Sequence, residues 1–156
     1  MPIDVEIINQ PALRVAVMRG DLGHAPQTWE RFGAVAGPAG LIGKPGVVTA
    51  AILAVEAITG PASPDRVRYD AALVLFDGQL TPAGLTEDSV PAGRYAHAVH
   101  EGGYEGLAAS WHQFVGEWLP QSGQRVGTGV CYEVYRGKPE SVPDSDLRTD
   151  LYIPLA

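Results

Sequence analysis

Cysteine is almost missing from this 156-residue sequence: Cys131 stands alone, inside an apolar run. One thiol can build neither a disulfide framework nor a cysteine zinc site. Positive charge is also scarce, with 11 Lys and Arg against 18 Asp and Glu and a formal net charge of −7. Such a surface repels a phosphate backbone, and no basic cluster offers a local exception, so direct nucleic-acid binding is not expected. Cationic partners are favoured instead. Long apolar runs are absent too. The longest, Val47 to Val55, has nine residues including Thr49, far too few to cross a bilayer. The start, Met1-Pro-Ile-Asp-Val-Glu6, carries acids where a signal peptide needs a basic region and an apolar core. A soluble, cytoplasmic chain with no membrane partner is therefore expected.

Several chemical signatures fail at the residue level. The loop from Gly37 to Pro45 resembles a phosphate loop, but Pro38 and Pro45 stand where that motif needs glycine and Ser/Thr. Gly127-Thr-Gly129 leads into a strand and lacks the helix dipole that holds a pyrophosphate. No Gly-x-Ser-x-Gly elbow occurs. His97 and His100 lie three apart in a strand-like run, on opposite faces, and cannot chelate together. His112 falls at the border of a helical stripe. No metal and no cofactor are expected.

What the chain does contain is repetition. The run Arg14 to His24 reads like Arg94 to Tyr104, each an apolar strand-like segment that ends at glycine before a helix-like one. Trp29 and Phe32 recur as Trp111 and Phe114, Arg68 and Asp70 as Arg148 and Asp150, and Val55-Glu56-Ala-Ile58 as Tyr132-Glu133-Val-Tyr135. The shifts of 77 to 82 exceed solenoid periods and point to two fused modules, repeat 1 over about 1–80 and repeat 2 over about 88–156, in one domain spanning 1–156.

Residues 4–9 and 13–19 look extended, with Pro11 between them. Pro26 to Val35 has helical spacing, and so do Tyr104, Leu107, Trp111, Phe114 and Trp118, with Pro120 expected to stop that helix. Val47–Ala57, Val67–Phe76, Gly129–Arg136 and Leu147–Leu155 read as strands, and Phe76 to Ala92 as the connector between modules. Each unit is then βαββ. Two such units related by a pseudo-twofold axis give an α+β fold with one antiparallel sheet and two main helices. A ligand cleft is expected at the seam.

Four segments carry a family resemblance: Val90-Pro-Ala-Gly-Arg-Tyr-Ala-His-Ala-Val99, Ala109-Ser-Trp-His-Gln-Phe114, Val130-Cys-Tyr-Glu-Val-Tyr-Arg136 and Asp150-Leu-Tyr-Ile-Pro-Leu155. With the triplet Arg68-Tyr-Asp70 they resemble GyrI-like proteins, which include the DNA gyrase inhibitory protein and the effector-binding domains of AraC-type and MerR-type multidrug regulators. The resemblance implies the duplicated (SHS2-like) βαββ fold and an aromatic pocket with a glutamate at its base, which falls by motif on Glu133. Regulators of the family place a helix-turn-helix reader before this domain. Here the sequence starts at the first strand, so it resembles the stand-alone members, which do not read DNA by that route.

Two readings of Glu133 stay open on the residues: an exposed glutamate on the wet face of a sheet, or a carboxylate in an apolar pocket with a raised pKa. Period-2 geometry puts Cys131, Glu133 and Tyr135 on one face and Tyr132 and Val134 on the other. Tyr95, Tyr104, Trp111, Tyr135 and Tyr152 are the candidate pocket aromatics, against a bland reading as core. Glu56 is a second carboxylate candidate. Arg68 with Asp70, and Arg148 with Asp150, read as surface ion pairs worth little. The leading expectation is capture of an amphipathic, cationic or aromatic small molecule, as a sensor or a sequestering antitoxin. The family also implies an alternative, hydrolysis of cyclopropane-bearing natural products by Glu133 with Tyr135 or Tyr152. A third is gyrase inhibition.

Overall fold

The computed structural model describes residues 3–40, 47–55, 57, 63–136 and 147–156. Eight strands form one antiparallel sheet: β1 (Val5–Gln10), β2 (Leu13–Met18), β3 (Thr49–Ala54), β4 (Tyr69–Val74), β5 (Thr86–Val90), β6 (Gly93–Glu101), β7 (Val130–Arg136) and β8 (Arg148–Pro154). Their order is β1-β6-β8-β7-β3-β4-β2-β5. Helix α1 (Ala25–Ala36) follows β2, with Pro26 in its first turn, where a missing N–H costs nothing. The second helical stretch follows β6. It comprises α2 (Leu107–His112), a π-helical segment (Gln113–Trp118) and α3 (Leu119–Ser122). Among the described residues no helix is long and apolar enough to cross a membrane.

Connectivity forces the sheet to curl. β1 and β2 lie six places apart in the sheet, yet only Pro11 and Ala12 join them, and only Pro91 and Ala92 join β5 to β6, also six places apart. Six inter-strand spacings across a flat sheet would span about 29 Å. Three Cα–Cα steps reach at most about 11 Å. The two edges must therefore approach each other, and the inner face closes on a core of its own. That core holds Val15, Val17, Ile52, Val74, Val90, Tyr95, Tyr132, Val134 and Tyr152.

The outer face carries the helices. Phe32 and Ala36 of α1 pack on Ala16, Ala71 and Leu73, where the alanines leave room for close approach. Phe114 packs on Ala96, Ala98, Leu151 and Ile153. Gly20, at the end of β2, permits another close contact: a Cβ there would stand 2.1 Å from Thr28 Oγ1 and 2.9 Å from the Tyr69 carbonyl oxygen.

Three expectations change. The segment from Phe76 to Ala92 is not only a connector, since it contains β5, a polar edge strand paired with β2. Its Thr-Glu-Asp-Ser sequence lacks hydrophobic alternation because only its last residue, Val90, is buried. Pro120 does not stop the second helix. It sits in the first turn of α3, and the helix ends at Gly123, whose φ of 75° is the left-handed conformation that glycine adopts without strain. Strand β3 is also shorter than the Val47–Ala57 run, with Val55 already in a turn.

Candidate functional site

The β3–β7 pair lies at the middle of the sheet, and its outer face is the floor of a cleft. Opposite each other stand Thr49 and Tyr135, Ala51 and Glu133, and Leu53 and Cys131. Ala51 has no side chain beyond Cβ, so nothing from β3 covers the carboxyl of Glu133. The two helices form the walls, with Trp29 from α1 on one side and Leu107, Trp111, His112, Val115 and Gly116 on the other. Tyr69 and Tyr104 also line this cavity of about 940 Å³, large enough for a multi-ring organic molecule.

Glu133 is only 6% exposed. Its Oε1 accepts the Trp111 indole N–H at 2.5 Å and its Oε2 accepts the Tyr135 hydroxyl at 2.6 Å. Burial pushes its pKa above the ordinary carboxylate value, while the Tyr135 and Trp111 bonds and the nearby His100 pull the other way. Burial also pushes the Tyr135 hydroxyl well up, as does the neighbouring Glu133 charge. The π-helical segment begins two residues after Trp111 and contributes Val115 and Gly116 to the wall. Such segments often occur at functional sites.

The aromatic rings are not interchangeable. Trp29 stands edge-on to Tyr135 at 5.9 Å between centroids, and Tyr104 is tilted against Tyr135 at 5.4 Å. Trp111 stacks on buried Phe114 at 5.8 Å. The Trp29 indole donates to the Tyr69 hydroxyl at 2.8 Å.

Of the residues singled out from the sequence, Glu133, Tyr104, Trp111 and Tyr135 meet in this cleft. Tyr95 and Tyr152 do not. Tyr152 pairs across from Tyr132, on the inner face, and Tyr95 packs beside both, at ring distances of 6.4 and 5.6 Å. The sheet lies between these two tyrosines and Glu133. Glu56 lies outside the described residues, as do residues 41–46 of the glycine-rich loop. The residue facing Glu133 across the pair is Ala51. Sequence reasoning missed Tyr69, Thr49 and His112 as lining residues. The signal for Tyr69 is its place in the Arg68-Tyr-Asp70 triplet, one face away from the two charges.

Those charges behave differently from the expectation. Asp70 is fully enclosed; its Oδ2 accepts Arg68 Nε at 2.7 Å and Arg19 at 2.9 Å, and its Oδ1 accepts the Gly20 N–H at 3.3 Å. Both arginines also reach Asp88 of β5, each at 2.9 Å. This is a four-membered network and not an exposed pair. Asp150 binds Arg136 and His97, and Arg148 turns to Glu101 instead.

A helix-walled cleft on an antiparallel sheet, lined by rings around one carboxylate, defines a small-molecule-binding domain. The GyrI-like small molecule binding domain model matches residues 3–156, and the chain belongs to that family. Among curated relatives it is similar to a DNA gyrase inhibitor of Yersinia enterocolitica, 32% identical over 54% of this chain and 57% of the relative. It is also similar to the probable transcriptional regulator YgiV of Escherichia coli K12, 32% identical over 47% of this chain and 46% of the relative. The chain thus spans about half the length of the curated relatives it matches. Three solved structures share the fold: the EcmrR C-terminal domain (TM-score 0.68, 13% identity, 100% and 99% of the two chains), SAV2435 bound to tetraphenylphosphonium (0.66, 12%, 99% and 94%) and a hydrolase from Listeria innocua (0.61, 13%, 99% and 93%).

Proposed function

We propose that this domain captures bulky aromatic or lipophilic organic cations, with Glu133 as the counter-charge and Trp29, Tyr69, Tyr104, Trp111 and Tyr135 as walls. The observation that carries the reading is the placement of one buried carboxylate at the floor of a cleft lined mostly by aromatic and aliphatic side chains. A cation entering there restores the charge partner that burial denies Glu133. Ring contacts add about 0.5–2 kcal/mol each. The tetraphenylphosphonium held by SAV2435 is a molecule of this kind. Sensing or sequestering such compounds follows as the biological use.

The supporting architecture is, in this reading, one βαββ unit used twice within a single domain, over about 1–80 and 88–156. Trp29 and Trp111 occupy matching helix positions, and each gives its indole proton to a polar group of the sheet. The cleft then lies on the pseudo-twofold axis, where β3 meets β7.

Thermal melting with tetraphenylphosphonium and a neutral tetraphenyl analogue tests the proposal. At a hundred times its Kd, a native-state ligand adds about 2.7 kcal/mol. In a domain of this size that raises the melting temperature by about 5–10 °C. Stabilisation by the cation alone supports the reading, and equal stabilisation by both compounds contradicts it.

One observation favours a second reading, hydrolysis of a small reactive compound: the Tyr135 hydroxyl lies on a carboxyl group whose pKa is raised, a pair suited to proton transfer. Tyr152, on the inner face, has no part in it. Turnover that is lost in Glu133→Gln would favour this reading over simple capture. Gyrase inhibition, by analogy with the Yersinia relative, is the third reading and would appear as retention of gyrase by the immobilised domain.

A further inference from the structure

His100, one residue before the end of β6, is buried on the helix side of the sheet. It lies directly across from Thr149 of β8, which in turn faces Tyr135 of β7. Its ring makes two hydrogen bonds, each to a different piece of the second cleft wall. Nε2 lies 2.8 Å from the carbonyl oxygen of Gly103, just before the 3-10 turn Tyr104–Gly106, and Nδ1 lies 2.6 Å from Ser110 Oγ on α2. A carbonyl oxygen can only accept, so Nε2 carries a proton, and in the neutral ring Nδ1 accepts from the Ser110 hydroxyl. Gly106 fits closely over the ring, since a Cβ there would stand 3.1 Å from the ring's Cε1. The residues next to the two anchors are Tyr104 and Trp111, both in the cleft, and the Trp111 indole donates to Glu133 Oε1 at 2.5 Å.

The first wall is built without such a ring. When the run Arg14–His24 is set on Arg94–Tyr104, Gly20 takes the place of His100, and Thr28, just before Trp29, takes that of Ser110, just before Trp111. A Cβ on Gly20 would stand 2.1 Å from Thr28 Oγ1, so α1 rests close on the chain at the end of β2. The Thr28 hydroxyl turns to its own helix instead, donating to the His24 carbonyl at 3.2 Å. At the second wall an imidazole fills the space between β6 and α2. We propose that His100 is a positioning residue of the cleft: by clamping both the turn that carries Tyr104 and the helix that carries Trp111, it sets how far that wall stands from the sheet, and so the size of organic cation that fits. The size half of this statement rests on the cation reading, and the positioning half does not. Without the ring a void opens, and the Ser110 hydroxyl and the Gly103 carbonyl lose a partner. Surroundings partly collapse into such a void, so the wall settles toward the sheet. A narrower cleft weakens a bulky ligand more than a slim one.

The test is the NMR signal of the Trp111 indole N–H in the wild type, His100→Ala, His100→Asn and His100→Gln, with affinities for tetraphenylphosphonium and the slimmer phenyltrimethylammonium. A proton held in a short bond to a carboxylate resonates downfield of a free indole proton, so this signal reports whether the wall is in place. In His100→Ala it should move upfield. Tetraphenylphosphonium affinity should fall about tenfold, and phenyltrimethylammonium affinity should stay within about twofold of wild type. The asparagine amide oxygen can take the place of Nδ1 and accept from Ser110, whereas a glutamine amide reaches the Gly103 carbonyl instead. The Asn variant should therefore keep the Trp111 signal near wild type, and the Gln variant should not. That pair decides the matter if His100→Ala does not fold. An unmoved Trp111 signal in His100→Ala, equal signals in the Asn and Gln variants, or both cations weakened by the same factor would overturn the role of His100. A Trp111 signal that responds as expected while no protein binds either cation would uphold the positioning role and remove the cation reading.

Discussion

Replacing Asp70 with asparagine keeps the side chain's shape and removes its charge from the Arg19–Arg68–Asp88 network. The Asp70 carboxylate is 0% exposed and accepts two guanidinium bonds and one backbone N–H. Bonds to charged groups contribute about 1.5–3 kcal/mol each. Here the arginines are 50% and 36% exposed, so water screens them and about 1 kcal/mol per bond is the better figure. The amide adds a penalty of its own, because with its oxygen kept on the two guanidinium groups its NH2 faces the Gly20 N–H, another donor. The sum is about 2–3 kcal/mol, or a melting temperature lower by about 5–10 °C in a chain of this length. Asp88, 29% exposed at the edge strand, should cost about 1 kcal/mol or less as Asp88→Asn. Urea unfolding of both variants beside the wild type measures the difference. An Asp70→Asn protein within about 1 °C of wild type, or equal losses for the two variants, would refute the reasoning. The functional stake is positional, since Asp70 follows Tyr69 on β4 and its anchoring fixes that strand against β2 and β5.

Two further outcomes are expected. His97 sits between Asp150 at 3.1 Å and Glu6 at 3.0 Å, and its pKa is raised chiefly by the Asp150 bond, against burial. Its contribution to stability is therefore full below the unfolded value of about 6.5 and is lost as pH rises through the higher folded value. Melting temperatures measured across that window should fall with pH in wild type and flatten in His97→Gln; parallel curves would contradict this. Tyr152→Phe should leave tetraphenylphosphonium affinity within about twofold of wild type, whereas Tyr104→Ala should lower it by about 3- to 10-fold through the loss of one ring contact. Titration calorimetry of the two variants separates the faces of the sheet, and a larger loss for Tyr152→Phe would place the ligand on the wrong one.

Much of this molecule can be read from local pattern. The stripe through Leu107, Trp111 and Phe114 needs only helical spacing, and the faces of β7 need only alternation: Cys131, Glu133 and Tyr135 do face the helices, while Tyr132 and Val134 face the inner core. What escaped depends on distant pairing. Whether Tyr152 shares a face with Glu133 or with Tyr132 is decided by the β7–β8 register, which no local pattern encodes. The inner-face place of Tyr95 is hidden for a related reason, because the curl of the sheet that gives that face a core of its own arises from links between strands six places apart. β5 escaped because an edge strand with one buried residue has no apolar alternation. The enclosure of Asp70 is not legible locally because its second arginine, Arg19, follows the end of β2, about fifty residues earlier.

The account turns on Glu133 as the charge that holds a cation. Titration calorimetry of tetraphenylphosphonium against wild type and Glu133→Gln at pH 8 tests it most directly. A buried counter-charge is worth at least about 1.4 kcal/mol to a desolvated cation, so the glutamine variant should bind at least about tenfold more weakly, with its melting temperature near that of wild type. Equal affinity for the two proteins would mean that the rings alone hold the ligand, and would contradict the central claim.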